Sequence, residues 1–413
     1  MEPAPKKHNA SNSASEDIIS TMPEIVITNI MDRLPIQYAV RTSSLSRNWR
    51  FKWTLLSKVV FGKKFSEYLQ GLGGENWYKE ANISRLLLHL KGPITKFHLY
   101  LPKDKVLDVK GINHWVMFLS GKEIKEFNLI NMNSAPLKLS THLFSCVKLE
   151  RLKLRNCSLY PPPTFRGFPN LLSLDVYQVA FENGNFGEFI VQCLLLEFLK
   201  VRNWDRIGKV KMIEIVKLKN LKLLSLPLCK LDNIAITSSL IFHLVGHFSK
   251  LQDLYLDLRK CKFLGEAGAE KWVRTSFRCL STLVLDPIDF SSNIMLSFAF
   301  EMICNSPELQ TLKITATYNN PVPPPAFCSS SLNHISMDQL KLRSVVFKSF
   351  RGSENEICLI KNLLVCSPEL NKIDIHTKPY LMFGDVNGKL MFATKLLELH
   401  RASSVAEVKI NWS

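Results

Sequence analysis

The sequence lacks the short motifs that mark the common metalloprotein, secreted and membrane-protein classes. Its ten cysteines are spread over 413 residues without a single C-x-x-C pair, which argues against a zinc site or a redox-active dithiol. We expect them to be buried thiols, reduced in an intracellular compartment. No apolar N-terminal segment is present, so we expect no signal peptide. Apolar runs fall short of the roughly 20 residues that a membrane-spanning helix needs, and we expect no membrane partner.

Motifs of nucleotide-binding and hydrolytic enzymes are absent as well. There is no Walker A sequence and no G-x-S-x-G turn, which argues against a P-loop and an α/β-hydrolase. His243 and His247 have the i, i+4 spacing of metalloprotease ligands, but no glutamate lies between them. Residues 71–74 are glycine-rich without the spacing of a dinucleotide-binding loop. We therefore predict no enzymatic activity, no catalytic residue, no metal and no cofactor.

Acidic residues are few compared with basic ones. Lys and Arg number 53 against 36 Asp and Glu, so the formal net charge is +17. Such an excess favours polyanions, and nucleic-acid binding is one interpretation. The basic residues are dispersed along the chain, however, without a zinc-finger, RRM or helix-turn-helix pattern. We prefer a solvated basic surface and do not expect a nucleic-acid partner.

Residues 21–34 carry a helical pattern. Thr21 and Glu24 have the spacing of a capping box, which predicts a helix start. Apolar residues then recur at i, i+3, i+4 and i+7, as on one face of an amphipathic helix: Ile27, Ile30, Met31 and Leu34. Pro35 has no N–H and disfavours helical backbone before it, so the helix should end there.

Two further short helices are predicted behind the first. One spans Ile36–Ser44, and another has Trp49, Trp53 and Leu56 along one side. Three short helices cannot cover all of these apolar groups, because small domains bury too little of their surface. The segment therefore predicts a partner surface.

The run EDIISTMPEIVITNIMDRLPIQYAVRTSSLSRNWRFKW resembles the F-box of plant F-box proteins, with its two proline-containing helix starts and its tryptophan-rich ending. In that family the module binds the S-phase-kinase-associated adaptor protein and, through it, the cullin and the RING subunit of a ubiquitin ligase. Asn48 and Lys52 depart from the usual pattern. The alternative is a helical cap for the rest of the chain. The positions that match, and are predicted to bind the adaptor, are Met22, Pro23, Ile27, Ile30, Leu34, Pro35, Val40, Leu45, Trp49 and Trp53.

A hexad of the form apolar-x-x-apolar-x-apolar recurs along the rest of the chain, at intervals of 22 to 35 residues from residue 94 onward. It includes LERLKL from Leu149, LQDLYL from Leu251 and LNKIDI from Leu370. This is the signature of leucine-rich repeats. The last three positions of each hexad alternate, which predicts a strand with one buried face. Stacked units then share a continuous core, with a parallel sheet on the concave side.

The C-terminal runs LKLRSVVFKSFRGSENEICLIKNLLVCSPELNKIDI and ATKLLELHRASSVAEVKI resemble the FBD region of plant F-box/leucine-rich-repeat proteins. The matching features include the turn at 350–352, the SPEL sequence at 367–370 and Arg401-Ala402-Ser403 before a last strand. Ser353 and Glu356 predict a capping box at the start of a helix. Because the open end of a solenoid exposes apolar surface, this region is expected to close it.

The predicted fold is α/β. A three-helix F-box precedes a leucine-rich-repeat solenoid with a curved parallel sheet, and an FBD-type region closes the chain. The predicted division is a disordered tail at 1–15, the F-box at 16–60, a linker or N-terminal cap at 61–92, repeats at 93–336, and the FBD region with the C-terminal cap at 337–413.

The outward strand positions should line the concave face. We predict a graded charge, basic toward the F-box and acidic midway, that selects a protein target of complementary charge. The alternative is an ordinary solvated surface. The predicted target-binding residues are Lys96, His98, Arg151, Lys153, Arg155, Lys200, Arg202, Asp253, Tyr255, Asp257 and Asp286.

Together, these patterns predict the substrate-recognition subunit of a Skp–cullin–F-box ubiquitin ligase, acting in the nucleus or cytoplasm. Its F-box binds the adaptor and its repeats bind a target for ubiquitination. The alternative is a repeat scaffold outside any ligase, or a nucleic-acid-associated protein, in which the F-box is vestigial.

Overall fold

The computed structural model describes residues 21–71, 80–103, 109–182, 186–202, 210–231, 236–261, 263–264, 276–320, 340–377 and 386–412. The predicted tail at 1–15 lies outside the described residues. The helices are α1 (Glu24–Met31), α2 (Ile36–Arg41), α3 (Lys63–Gly71), α4 (Glu80–His89), α5 (Val109–Ser120), α6 (Phe186–Val191), α7 (Met212–Ile215), α8 (Ser238–Gly246), α9 (Asn293–Cys304), α10 (Glu354–Cys366) and α11 (Val386–Leu397).

The strands are β1 (Lys58–Phe61), β2 (Lys96–Leu101), β3 (Glu126–Asn131), β4 (Leu137–Lys138), β5 (Arg151–Arg155), β6 (Cys157–Leu159), β7 (Ser173–Tyr177), β8 (Ala180–Phe181), β9 (Phe198–Arg202), β10 (Leu223–Pro227), β11 (Asp253–Asp257), β12 (Thr282–Asp289), β13 (Thr311–Thr317), β14 (Ser344–Phe350), β15 (Lys372–Thr377) and β16 (Glu407–Asn411). Short 3₁₀ turns lie at Thr42–Ser44, Lys52–Leu55, Thr141–Ser145 and Leu228–Lys230.

Thirteen of these strands form one parallel sheet in the order β1-β2-β3-β5-β7-β9-β10-β11-β12-β13-β14-β15-β16. Neighbours in the sheet follow one another along the chain, apart from β4, β6 and β8, which pair in a small second sheet. Each inner strand of the large sheet therefore pairs with the sheet strand that precedes it along the chain and with the one that follows it. This is the predicted solenoid.

The inner side of the large sheet forms the core. In β5, Leu152 and Leu154 are buried, whereas Arg151 and Lys153 point to the other side and stay accessible. Equivalent inner residues stack from strand to strand, as Phe97 does on Phe127 with ring centroids 5.8 Å apart. Burying an aliphatic or aromatic side chain stabilises the fold by about 1.5–3 kcal/mol. The apolar positions of each hexad therefore determine which face of its strand is buried in the core.

The C-terminal helix α10 begins as predicted. Ser353 Oγ accepts a bond from the Glu356 backbone N–H at 3.4 Å, and the Glu356 carboxylate accepts one from the Ser353 N–H at 2.6 Å. Strands β15 and β16 extend the large sheet to its edge. In β16, Val408 and Ile410 remain only half-buried, as expected of an edge strand.

The start of α1 differs from the prediction. Pro23 is the N-cap residue, with φ −55° and ψ 147° and no side-chain capping bond. The proline ring fixes φ near the value a helix needs, so the helix begins at Glu24. This leaves Thr21 two residues too early to cap it, and the predicted Thr21–Glu24 capping box is wrong. The third helix is reduced to turns and the short 3₁₀ segment at Lys52–Leu55.

The described cysteines fit the prediction only in part, because four of them are only half-buried: Cys229, Cys261, Cys304 and Cys366. Cys146, Cys157 and Cys193 are buried free thiols, and burial raises the pKa of Cys193 to about 11, which keeps it protonated. Cys279 is exposed, and Cys358 is disulfide-bonded. The prediction of buried reduced thiols is therefore wrong for these two residues.

The described residues include neither a membrane-spanning helix nor a cluster of metal ligands. None of the described helices is long and apolar enough to cross a membrane. Within the same ranges, no group of three or more His, Cys, Asp and Glu side chains is placed to hold a metal ion.

Candidate binding surfaces

The N-terminal module, residues 21–57, has a small core of its own. Ile27 and Met31 on α1 are fully buried and lie in the same cluster as Ile36 and Ala39 on α2. Trp49 completes this core at 7% exposure. Two of the predicted adaptor-binding residues, Ile27 and Trp49, therefore stabilise the module from inside.

The other predicted adaptor-binding positions reach the surface to different degrees. Met22, Ile30, Leu34, Val40 and Trp53 are half-buried. Pro23, Pro35 and Leu45 are exposed, Leu45 at 70%.

Four more large apolar side chains of the module are exposed that the sequence analysis did not select. They are Ile25 at 70%, Val26 at 38%, Tyr38 at 47% and Phe51 at 60%. With Pro23, Pro35 and Leu45 they make up what we call the apolar surface. Single exposed apolar residues are ordinary, but seven of them lie within 29 residues here.

Local chemistry explains how this short module keeps its shape. Pro23 and Pro35 each stand before a helix, and their carbonyl oxygens accept the first-turn N–H groups of Val26 and Tyr38, both at 2.9 Å. After α2, three consecutive hydroxyls bond to carbonyls three residues earlier: Thr42 to Ala39, Ser43 to Val40 and Ser44 to Arg41. Such bonds compete with the helical ladder and accompany the tightening of α2 into a 3₁₀ turn.

Asp32, at the end of α1, ties the module to the large sheet. Its Oδ1 accepts the N–H groups of Ser57 at 2.9 Å and Lys58 at 3.1 Å, and its Oδ2 accepts the Ser57 hydroxyl. The Ser57 carbonyl in turn accepts the Thr95 N–H at 2.8 Å, next to β2. The apolar surface is therefore held in a fixed position relative to the first strands.

The second surface is the outer side of the large sheet, which we call the open face. All eleven predicted target-binding residues lie on it, at alternate strand positions with half-buried or exposed side chains. The strands are in register, so His98, Asn128, Lys153, Asp175 and Lys200 form one row across five strands.

Two carboxylates on the open face, Glu126 and Asp175, were missed by the sequence analysis. Glu126 pairs with Lys96 at 2.8 Å and with Arg151 at 3.3 Å. Burial raises the pKa of Glu126, but the hydrogen bond and charge of Lys96, together with Arg151, bring the pKa below its ordinary value. Aligning the hexads would have shown the pairing, since Glu126 stands between Lys96 and Arg151 in register.

Asp175 has the same arrangement two strands further along the sheet. It pairs with Lys153 at 3.2 Å and with Arg202 at 2.7 Å. The Arg155 guanidinium lies 4.7 Å from the centroid of the Tyr177 ring, and that of Arg202 lies 5.8 Å from it. The predicted basic residues are therefore organised by acidic and aromatic neighbours.

His98 lies at the start of the basic region. Burial and the nearby Lys96 lower the pKa of His98 below its usual value, so its ring is neutral at pH 7. Its Nε2 is buried and has no hydrogen-bond partner, and neither has Oδ1 of the adjacent Asn128.

The predicted acidic residues lie together on β11 and β12. Asp257 and Asp286 are in register, and Arg259 binds Asp257 through two bonds of 3.1 and 2.8 Å. Burial raises the pKa of Tyr255, and the neighbouring Asp253 adds to the effect.

Comparison with known proteins now identifies the family. The profile of the F-box domain matches residues 19–60, and a profile described as the repeats of FBD-associated F-box protein At5g56370 matches residues 112–243. F-box protein At4g09920 of Arabidopsis thaliana is 30% identical over 53% of this chain and 69% of its own length. The chain belongs to the plant F-box/FBD/leucine-rich-repeat family.

Another relative covers almost the whole chain. F-box/FBD/LRR-repeat protein At1g13570 of Arabidopsis thaliana is 27% identical over 95% of this chain and 98% of its own length. A solved leucine-rich-repeat protein of Leptospira interrogans covers 79% of this chain and 86% of its own, at 16% identity and a TM-score of 0.35. That score is too low to support any argument.

The sequence did contain a sign of two exposed F-box residues that the sequence analysis missed, Ile25 and Val26. The helical pattern selected the i, i+3, i+4 stripe of α1, which is the side that packs inward. Yet α1 reads EIVITNIM, with apolar residues on more than one side. Ile25 and Val26 lie outside the stripe that packs inward, and both are exposed, at 70% and 38%.

Proposed function

We propose that this F-box protein is the substrate-recognition subunit of a Skp–cullin–F-box ubiquitin ligase. Its family and its combination of F-box and repeats support an adaptor role, and the family is typically non-catalytic. The observation that carries the proposal is the exposure of large apolar side chains on the F-box, with Ile25 and Leu45 each 70% exposed. We place the protein in the nucleus or cytoplasm, where such ligases act.

In this proposal the apolar surface binds the S-phase-kinase-associated adaptor, and the cullin and RING subunits join through it. Pro23, Pro35 and Leu45 make contact together with Ile25, Val26, Tyr38 and Phe51. The half-buried Met22, Ile30, Leu34, Val40 and Trp53 contribute their accessible edges, and Ile27 and Trp49 support them from the core. Covering one such large side chain contributes about 1.5–3 kcal/mol, so a few of them suffice for a stable complex.

The open face of the repeats holds the protein target. Lys96, His98, Arg151, Lys153, Arg155, Lys200 and Arg202 form its basic part, and Asp253, Tyr255, Asp257 and Asp286 form its acidic part. The F-box protein supplies no nucleophile. It accelerates ubiquitination by raising the effective concentration of a target lysine near the charged ubiquitin carrier, and the Asp32 joint keeps the two surfaces at a fixed separation.

The test is co-purification of the tagged full-length chain with the adaptor and cullin. Ile25→Asp/Leu45→Asp introduces charge at two positions that are each 70% exposed, so folding should be preserved. Leu397→Asp, at 72% exposure on α11, is the matched control. A Leu34→Ala/Pro35→Ala variant is less specific, because Leu34 also packs against the core and its loss would affect folding as well as binding.

Capture by the wild type and by Leu397→Asp, with loss in the double variant, would support the ligase assignment. Failure of the wild type to capture the adaptor would overturn it. The chain would then be a repeat scaffold with a vestigial F-box.

A further inference from the structure

The open face changes charge sharply between β9 and β10. The outward positions of β2, β3, β5, β7 and β9 carry six cations and two carboxylates. The cations are Lys96, Arg151, Lys153, Arg155, Lys200 and Arg202, and the carboxylates are Glu126 and Asp175. On β10, β11 and β12 the outward strand positions carry Asp253, Asp257 and Asp286 and no Lys or Arg. The first part is therefore a basic half with an excess of four positive charges, and a partner there must be anionic.

The basic half is ordered before any partner arrives. Glu126 and Asp175 each bridge two cations from different strands, as the distances above show, and Tyr177 contacts Arg155 and Arg202. Ordering a long charged side chain on binding costs conformational entropy. Because the bridging carboxylates already hold these cations in place, less entropy is lost when a partner binds. The cations still outnumber the carboxylates, so the basic half keeps its positive charge.

A groove of about 240 Å³ opens within the basic half. Its lining includes Arg151, Lys153, Lys200, the two bridging carboxylates and Phe198. Phe198 is 36% exposed, although it occupies an outward strand position where polar residues are usual. The groove therefore offers one apolar contact surrounded by charge.

A second observation comes from the row of residues that runs into the groove, which Asn128 itself helps to line. His98 Nε2 and Asn128 Oδ1 are buried without hydrogen-bond partners, and both lie in register with Lys153. A buried polar atom left without a hydrogen-bond partner destabilises the fold. Both atoms would gain hydrogen-bond partners if their side chains turned toward the backbone of an extended polypeptide lying across these strands.

We propose that the basic half binds an acidic, extended segment of the target protein, with one apolar side chain against Phe198. The carboxylates of the segment contact Lys153, Arg155 and Lys200, and its backbone reaches His98 and Asn128. This proposal deepens the proposed function and rests on it, because the segment is part of the recruited target.

The test uses the full-length chain and fluorescence anisotropy. The probe is a labelled peptide of alternating Asp and Glu with one central Leu, compared with the same peptide in Asn and Gln and with a single-stranded RNA. Lys153→Glu/Arg155→Glu is the test variant. Lys313→Glu/Lys348→Glu, two exposed positions on β13 and β14 of the same face, changes the net charge by the same amount and is the control.

We expect the acidic peptide to bind the wild type. The test variant should weaken it by about tenfold or more, while the control stays within about twofold. Phe198→Ala should weaken the Leu-containing peptide and leave a variant peptide with Gly in place of Leu unchanged. Equal weakening by both charge-reversed variants, equal binding of the neutral peptide, or tighter binding of RNA would each overturn the proposal.

Adaptor co-purification with the same two variants separates this proposal from the proposed function. If Lys153→Glu/Arg155→Glu still captures the adaptor, it is folded, and its loss of peptide binding is local. If the wild type captures the adaptor but no peptide, the acidic-segment proposal alone is overturned.

Discussion

The F-box and the open face of the repeats expose opposite chemistry for one physical reason. The F-box has too few residues to cover its own apolar groups, so Ile25, Leu45 and Phe51 remain at the surface. The repeats stack on one another and bury most inner strand positions, so the outward positions are mostly charged or polar, with Phe198 an exception. We infer two kinds of binding, one driven by apolar contact and one by charge.

The sharpest test of the repeat side compares neighbours on β5. Leu154 points into the core and Lys153 points outward. Leu154→Ala should lower the free energy of unfolding by about 2–5 kcal/mol through lost burial and a residual cavity. Lys153→Ala should change it by no more than about 0.5 kcal/mol. Urea denaturation measures both, and similar midpoints would contradict the assignment of faces.

The second prediction compares a buried glutamate with a surface one. Glu356 is fully buried and accepts bonds from the Arg351 and Ser353 N–H groups and from the Tyr318 hydroxyl. Burial raises the pKa of Glu356 from 4.5 to about 8, whereas the pKa of Glu126 on the open face is lowered.

A pKa raised in the folded state means that the folded chain holds the proton more tightly than the unfolded chain. The stability that Glu356 contributes is therefore present below about pH 4.5 and lost as pH rises toward 8. Between pH 6 and 8 the loss should approach about 2 kcal/mol, at most 1.4 kcal/mol per pH unit. Thermal denaturation of wild type and Glu356→Gln against pH measures it, and parallel curves would contradict the raised pKa.

The third prediction concerns the joint between the two regions. Asp32→Ala removes the acceptor of three hydrogen bonds to Ser57 and Lys58. Because donors are left unpaired, stability should fall by about 1–2 kcal/mol, and trypsin should cleave faster after Arg33. Asp32→Asn keeps one acceptor oxygen, so its stability should lie between that of the wild type and that of Asp32→Ala. Unchanged cleavage in Asp32→Ala would show that the joint does not hold the F-box in place.

The smallest expected effect is the response of the two surfaces to salt. Raising NaCl from about 0.05 to 0.3 M shortens the range of charge interactions. Binding of the acidic peptide should weaken by about 1 kcal/mol, while binding of the adaptor to the apolar surface should change by less than about half of that. Equal salt dependence would remove the distinction between the surfaces.

Much of the repeat fold could be predicted because every hexad has the same order of apolar and polar positions, and this order determines which side of the strand is buried. The alternation in LERLKL separates Leu152 and Leu154 from Arg151 and Lys153, and the Ser353–Glu356 spacing fixes a helix start. The adaptor-facing residues were harder, since periodicity identifies the inward side of α1 and says nothing about Ile25 on the outward side. Cross-strand pairs such as Asp175 with Arg202 depend on register between repeats of unequal length.

The most direct test of the account is the dissociation constant of the adaptor for three forms of the full-length chain. We expect Leu45→Asp to weaken binding by at least about tenfold, because the contact of one large apolar side chain is lost and a charge is buried. Lys153→Glu/Arg155→Glu should bind as the wild type does. Equal affinities of Leu45→Asp and wild type, or weakening by the open-face variant alone, would contradict the division of labour between the F-box and the repeats.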